Sequence, residues 1–247
     1  MLSAMDLIWG EGFMAPGGIG NVEQMVRGLD LHDRDVLDIG CGQGEPACIL
    51  AREHGARVVG TDLEAHLVER ARKRAAEADL DRRVSFCLAK PGPLDFVDES
   101  FDCIVCSGAM TQIEDKLSML CECLRVLRPG GTLSCYDWMK PPGPLSKDMH
   151  YWFELEGLTY ALRTPDEHLD LLRDAGFSRI SQRDKSAWYR KEAAREYERL
   201  RGAWRGRLEA ILGAEETAHF IEDWRMLVRL CENGELLQVY TQAVKEG

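Results

Sequence analysis

Between residues 35 and 185, short apolar runs alternate with stretches in which apolar residues recur every three or four positions. The short runs are DVLDI (35–39), ARVVGTD (56–62), VSFCL (84–88), FDCIVC (101–106) and TLSCYDW (132–138). Each has the length of a strand, and their near-continuous apolar character is that of a parallel sheet covered on both faces. The intervening stretches have helical spacing. Residues 45–54 form the first, and the second carries Leu67, Val68, Ala71 and Ala75 on one stripe. A third carries Leu117, Leu120, Leu124 and Leu127, and RPGG (128–131) punctuates its end. TPDEHLDLLRDAGF (164–177) predicts a capped helix: Thr164 accepts from the first-turn amides, Pro165 takes the first helical position, and Gly176 is the stop.

The last third changes character. Between strands predicted at 178–184 and 235–244 lie about 50 residues rich in Arg, Glu, Ala and Trp, ending at the turn ENG (232–234). They read as two or three amphipathic helices and are too long for a hairpin connection, so residues 186–231 are expected to form a helical lid before the last strand. KPPGPLSKD (140–148), after the fifth strand, is the one flexible-looking loop. The fold class is therefore α/β: a Rossmann-like, mostly parallel seven-stranded sheet with helices on both faces and a helical lid insertion.

Composition narrows the partners. The 247 residues carry a formal charge of −11, which disfavours nucleic acid, because phosphate binding needs a basic surface. No run approaches the roughly 18 apolar residues of a membrane span, and the first residues lack a basic leader, so no membrane partner and a cytoplasmic location are expected. Nine cysteines raise the question of a metal or disulfides. Cys103 and Cys106 are spaced C-x-x-C within a strand-like run without a second ligand pair, and Cys121 and Cys123 lie on different faces of a helix. They read as reduced thiols packed as small hydrophobes, with no metal.

The sharpest chemical signal is Asp38-Ile-Gly40-Cys41-Gly42-Gln-Gly44-Glu45, between a strand and a helix. Its glycines permit a tight turn and close approach of a ligand to the backbone. Eighteen residues beyond Gly44, Asp62 ends the second strand, where an acid can take both hydroxyls of a ribose. A dinucleotide site would have G-x-G-x-x-G, with a pyrophosphate at the helix N-terminus. Here Glu45 takes the third glycine's place, and its carboxylate would repel a pyrophosphate. S-adenosylmethionine, with a sulfonium, an ammonium and no phosphate, suits an acid-flanked turn better than a nicotinamide dinucleotide does.

VLDIGCGQGE (36–45), VVGTDL (58–63), FDCIVCSGAM (101–110) and RVLRPGGTL (125–133) resemble successive motifs of class I S-adenosylmethionine-dependent methyltransferases over roughly residues 34–140. The resemblance implies that Asp38, Gly40, Cys41, Gly42 and Gly44 shape the cofactor pocket, with Ser107 on its wall. It further implies that Asp62 holds the ribose and Leu63 packs on the adenine. The acid often found after the third strand is replaced by Lys90, leaving adenine contact to the backbone of Ala89 or Lys90. WGEGFMAPGG (9–18) is similar to the opening segment of phosphoethanolamine N-methyltransferases, which closes over the cofactor and would bring in Gly17 and Gly18. The lid and LLQVYTQAVK (236–245) share that family's layout, so residues 1–247 read as one domain in which 1–30 cover the cofactor.

That family's chemistry does not carry over. Its catalytic histidine falls on Gln112, and the tyrosine after the fifth-strand aspartate becomes Trp138, with Asp137 kept. The phosphate-clamp arginine and lysine fall near Leu158 and Leu227, and a phosphate buried without such donors is strongly disfavoured. What surrounds the expected acceptor pocket is aromatic and acidic: Trp9, Phe13, Trp138, Trp152, Glu154 and Tyr160. Aromatic faces and carboxylates suit a small cationic or zwitterionic amine; a natural-product intermediate is the other candidate. An oxygen or protonated amine acceptor needs a base, for which Asp137, Tyr136 and His150 are candidates, while Gln112 can only orient. The remaining histidines (His32, His54, His66, His168 and His219) are expected at the surface. The lid aromatics Trp188, Tyr189, Trp204 and Trp224 either cover the acceptor or serve as core or a dimer contact, the chain being a monomer or homodimer. A catalytically silent partner subunit is the competing reading, favoured by Gln112 and Lys90.

Overall fold

The computed structural model describes residues 2–90 and 92–247. Seven strands form one sheet in the order β3-β2-β1-β4-β5-β7-β6. They are β1 (Asp35–Ile39), β2 (Arg57–Asp62), β3 (Val84–Leu88), β4 (Phe101–Ser107), β5 (Leu127–Met139), β6 (Ser178–Asp184) and β7 (Leu237–Val244). The pairs among β1 to β5 are parallel, and β7 runs antiparallel to both of its neighbours. Because the chain leaves β1 toward β2 on one side and later returns to β4 on the other, a crevice opens at the carboxyl ends of β1 and β4. Ligands of open α/β sheets bind at such a reversal.

Helices α3 (Glu45–His54), α4 (Ala65–Glu77) and α5 (Lys116–Val126) cover the first strands. Within α4 the buried residues are the predicted stripe Leu67, Val68, Ala71 and Ala75. On α5 the inward face is rotated: Lys116, Leu120, Cys123 and Val126 are buried, and Leu117 is exposed. Helix α7 (Pro165–Ala175) carries a complete capping box, with the Glu167 amide donating to Thr164 Oγ1 at 3.1 Å and the Thr164 amide donating to Glu167 Oε2 at 2.8 Å.

Two expectations about these elements are corrected. RPGG does not separate a helix from a strand; it belongs to β5, which begins at Leu127. Arg128 Nη1 reaches Asp35 at 2.9 Å and Asp102 at 2.8 Å, while the Gly130 amide donates to Lys245 O, so the tetrapeptide is held in the ladder from both sides. His168 is not at the surface: with Leu172 and Ala175 it forms the buried stripe of α7, and burial lowers its pKa to about 4.

The lid comprises α8 (Ser186–Arg201), α9 (Arg205–Leu212) and α10 (Ala214–Glu232). With α1 (Leu2–Trp9) and α6 (Lys147–Glu156) it builds a core of its own around Trp152, Tyr189, Leu200 and Trp224. Helix α2 (Gly18–Met25) packs on the sheet instead, with Val22 and Met25 in the core beside Tyr136 and Tyr240. All nine cysteines are free thiols. Cys103 and Cys106 fall in different cores because an odd separation puts them on opposite faces of β4. Among the described residues no helix is long and apolar enough to cross a membrane, and no three His, Cys, Asp or Glu side chains converge on a metal-sized site.

Replacing Thr164 by Ala removes the side-chain arm of the capping box, and the expected cost is about 1 kcal/mol. Urea unfolding should show a lower midpoint with an unchanged slope.

Candidate cofactor and acceptor sites

The turn from β1 into α3 has three glycines, and at two of them a side chain has no room. Gly40 has φ +72°, and a Cβ there would lie 2.3 Å from the Ala109 Cβ; Gly44 has φ +86°, with Ala71 Cβ at 2.7 Å. The backbone is held from β2: the Gly40 and Cys41 amides both donate to Thr61 O, at 2.8 and 3.0 Å. Asp62 completes the clamp, accepting from the Gly42 amide on Oδ2 at 2.9 Å and from the Glu64 amide on Oδ1 at 3.0 Å. Each of these oxygens keeps a lone pair for a ligand hydroxyl. Asp38, on β1, is buried and its Oδ2 has no partner. Burial, and next the charge of Asp62, raise its pKa to about 7. Cys41 is likewise buried, and burial pushes its thiol far up, so it lines the turn as a hydrophobe.

An N-terminal strap lies over this turn. A Cβ on Gly42 would meet Met14 Sδ at 3.0 Å, and one on Gly17 would meet the Trp188 ring at 3.0 Å. Gly18, at φ +50°, has the Trp9 carbonyl 2.9 Å from where a Cβ would stand. Asp6 Oδ1 accepts from the Gly12 amide at 2.9 Å and from Gln43 Nε2 at 3.2 Å, fastening α1 to the glycine turn. Between strap and turn is a narrow cleft of about 30 Å³ reached by Phe13, Met14, Asn21, Gly40, Cys41 and Ser107. A larger hollow of about 340 Å³, lined by Arg57, Arg82, Arg83 and Ser85, lies at the amino ends of the strands, the wrong end of the sheet for a switch-point ligand.

Asp38 Oδ2 and Gln43 Oε1 are buried acceptors without protein donors. An ammonium and the hydroxyls of an adenosyl group supply the missing donors, so these residues fit S-adenosylmethionine. Leu63 and Leu88, at 61% and 50% exposure, are apolar side chains left open beside the ends of β2 and β3, as a base-stacking surface requires. The Ala89 amide already donates to Asp62 O at 2.7 Å, which leaves adenine contact there to the Ala89 carbonyl or the backbone of exposed Lys90. Glu45 is not the free charge that its place after Gly44 implies. Its carboxylate meets Arg74 at 3.3 Å and Arg52 at 3.4 Å, so its charge is compensated and does not itself repel a diphosphate.

On the acceptor side the expected residues separate. Tyr136 and Asp137 are consecutive on β5 and point to opposite faces, so they do not act on one atom. The Tyr136 hydroxyl accepts from Gln238 Nε2, its ring lies 5.2 Å from Tyr240, and burial holds its proton far too tightly for a base. Asp137 accepts from Thr111 Oγ1 at 2.9 Å, its Oδ2 is unpartnered, and burial raises its pKa to about 7 against the pull of the Thr111 hydrogen bond and Lys116. Gln112, His150 and Glu154 are exposed. For Glu154 the reason is helical phase: Trp152 is buried on α6, and a residue two positions on turns outward. Trp152 stacks on Tyr160 at 5.1 Å, and Trp138 meets the two rings edge-on at 5.2 and 5.8 Å, so these faces are used on one another. The Trp9 indole donates to Glu196 Oε1 at 2.9 Å.

Several residues near the site escaped sequence reasoning. Asn21 bridges Ser107, to which its Nδ2 donates at 3.1 Å, and Tyr240, whose hydroxyl donates to Asn21 Oδ1 at 2.7 Å. Glu196 takes both the Trp9 and Trp224 indoles, and burial raises its pKa to about 7. Its signal was present: on α8 the buried set is Tyr189, Ala193, Glu196 and Leu200, an acid on an apolar stripe. Half-buried Glu156 and buried Asp223 form an acid pair, each pushed up chiefly by desolvation.

A Rossmann-like sheet with a glycine turn, an acid ending β2 and a closing strap defines an enzyme of the S-adenosylmethionine-dependent methyltransferase class. Comparison with known proteins agrees: residues 36–131 match the family described as methyltransferase domain. The chain is 35% identical over 182 residues to 27-O-demethylrifamycin SV methyltransferase of Amycolatopsis mediterranei, covering 73% of this chain and 67% of that protein. It is 30% identical over 182 residues to phosphoethanolamine N-methyltransferase 1 of Zea mays, covering 72% of this chain but only 35% of the maize protein's length. In structure it superposes on phosphoethanolamine N-methyltransferase 2 of Haemonchus contortus with a TM-score of 0.91 at 21% identity, over 100% of this chain and 57% of that one. The chain belongs to the S-adenosylmethionine-dependent methyltransferase family, and the nicotinamide reading falls with that.

Two outcomes are expected for the cofactor site. Asp62→Ala, which removes the clamp on Gly42, should weaken S-adenosylhomocysteine binding in calorimetry about 100-fold or more. Ionised Asp38 is the form that pairs with an ammonium, so affinity should rise as pH increases through about 7, and Asp38→Asn should flatten that rise. The stability sign is opposite: a pKa raised above the unfolded value of 3.8 stabilises the protonated fold, and this contribution is lost as pH rises through about 7.

Proposed function

We propose that this methyltransferase acts on a small organic acceptor of natural-product type, bound between the strap and the helical lid. The observation that carries the reading is the contrast between the two halves of the site. The cofactor half holds acids and bare backbone; the acceptor half is walled by the aromatic and uncharged side chains of Tyr136, Trp138, Tyr189, Gln238 and Tyr240, four of them fully buried. The phosphate-clamp residues of the phosphoethanolamine N-methyltransferases fall near Leu158 and Leu227, which argues against a phosphobase acceptor.

The glycine turn, Asp38 and Asp62 would hold the cofactor, which supplies an electrophilic methyl group when bound. The protein's own work is placement and exclusion of water. Met14, Gly17 and Gly18 close the strap, with Trp9 fastened to the lid through Glu196. Thr111 ties the 3-10 turn Ala109–Gln112 to Asp137, so the segment following β4 is fixed relative to β5. Asp137 lies on the face of β5 opposite the aromatic wall, so its part is to position this segment and not to take a proton from the acceptor.

The buried acids Glu196 and Asp223, with half-buried Glu156, favour a second reading, a cationic amine acceptor. A silent partner subunit is the third, and any turnover excludes it. In keeping with the chain's charge and composition, we place the enzyme in the cytoplasm as a single domain, monomeric or homodimeric, with no nucleic-acid or membrane partner.

The test is a methyl-transfer screen with labelled S-adenosylmethionine over hydroxylated natural products, amines and thiols. With the acceptor so found, Asp137→Asn, which disturbs the tie to Thr111, should lower kcat without changing its pH profile and leave S-adenosylhomocysteine affinity within about twofold. Full activity in Trp138→Ala would remove that residue from the acceptor wall.

A further inference from the structure

The antiparallel register of β5 and β7 sets Ser134 opposite Gln242, Tyr136 opposite Tyr240, and Trp138 opposite Gln238. Side chains alternate along a strand, so these six residues share one face of the sheet. All six carry polar atoms on a face buried under α2, the strap and the lid, where a covered sheet normally presents Val, Ile and Leu.

The lower part of this row has a structural purpose. Ser134 Oγ donates to Met25 O at 2.7 Å and Gln242 Nε2 donates to the same oxygen at 2.9 Å, closing the end of α2. Tyr240 is engaged by Asn21, which continues to Ser107 on the wall of the cofactor cleft. In the upper part Gln238 Nε2 is used on Tyr136, but other polar atoms are left open. Gln238 Oε1, Trp138 Nε1 and, from the lid, Tyr189 Oη are buried without any partner. Gln238 is 0% exposed and Tyr189 1%. Buried polar atoms left unsatisfied destabilise a fold and are retained where something else satisfies them.

Resting on the methyl-transfer reading above, we infer that Trp138, Tyr189 and Gln238 form an acceptor subsite that reads an uncharged hydroxyl group of the substrate. The chemistry of the three atoms selects the ligand. Two are donors, the indole N–H and the phenol O–H, and one is an amide oxygen acceptor. A hydroxyl both donates and accepts, and so satisfies them together; a quaternary ammonium accepts from neither donor. A phosphate would need charged donors, and the three residues supply none. Of the acids whose charge reaches Tyr189, Glu196 already takes the Trp9 and Trp224 indoles on its two oxygens, and Glu156 is paired with Asp223. The subsite is thus neutral, and through Tyr136, Tyr240 and Asn21 it is continuous with Ser107 beside the cofactor.

The experiment uses the full chain with labelled S-adenosylmethionine. The probes are hydroxylated aromatic and macrocyclic compounds, their O-methylated counterparts, choline and phosphoethanolamine. Transfer should favour the hydroxylated members. Gln238→Leu and Tyr189→Phe should each lower kcat/KM for them tenfold or more, with S-adenosylhomocysteine affinity within twofold of wild type. Tyr189→Phe should melt no lower than wild type, because it deletes an unsatisfied group; a purely structural hydroxyl would give the reverse. A melting temperature several degrees lower, transfer confined to choline or phosphoethanolamine, no transfer to any hydroxylated member while S-adenosylhomocysteine binds, or unaltered preference in both variants would overturn the subsite. If S-adenosylhomocysteine does not bind the wild-type chain, the methyltransferase reading itself fails, which is a separate result.

Discussion

Everything at the ligand end of this protein depends on a bend that only glycine can make at two positions. At Gly40 and Gly44 a Cβ would collide with Ala109 and Ala71, on opposite sides of the same turn. The backbone can therefore lie against both the segment after β4 and helix α4, and Asp62 locks it there through the Gly42 amide. That lock brings the ends of β1 and β2 together and sets the floor on which the strap rests. The strap in turn is fastened by short polar links, Asp6 to Gln43 and Trp9 to Glu196. A substitution in the bend would thus be felt in the cofactor cleft, the strap and the lid together.

Beyond the bend the site divides by charge. The cofactor half concentrates carboxylates, and their burial and mutual repulsion keep Asp38 near neutrality instead of in the ordinary acid range. The acceptor half is aromatic and uncharged along the sheet, with its acids either paired with each other or capped by indoles. This division is what a methyltransferase needs: a cationic cofactor held by negative and dipolar groups, and a second pocket dry enough to exclude water from the transferred methyl. Alternation along β5 enforces it, because Tyr136 and Asp137 are neighbours in sequence and yet serve opposite faces of the sheet.

Much of the architecture was legible from residue pattern. The strands at 35–39, 84–88 and 178–184 and the helix at 45–54 lie where hydrophobic period and glycine placement put them, and the Thr164 cap formed as a capping box. The class of cofactor was legible as well, because a glycine turn and an acid ending the next strand are local signals. Glu45 illustrates the opposite case. As a letter after Gly44 it is an uncompensated charge; in the fold Arg52 and Arg74, 7 and 29 positions away, neutralise it. His168 illustrates another, since a histidine on an amphipathic helix reads as surface until the phase of the buried stripe is known.

Local sequence was sufficient for strand and helix, for caps, and for a bend that only glycine can make, because these depend on a residue and its near neighbours. The acceptor site was decided elsewhere. Gln238 meets Tyr136 across 102 positions, Tyr240 meets Asn21 across 219, and Trp9 meets Glu196 across 187. Which polar atoms find partners and which stay open is a property of three segments packed together, and no one of them contains it. For the same reason the buried acids of the lid carried no local signature beyond a charge on an apolar stripe: their proton affinity comes from the desolvation that only packing imposes.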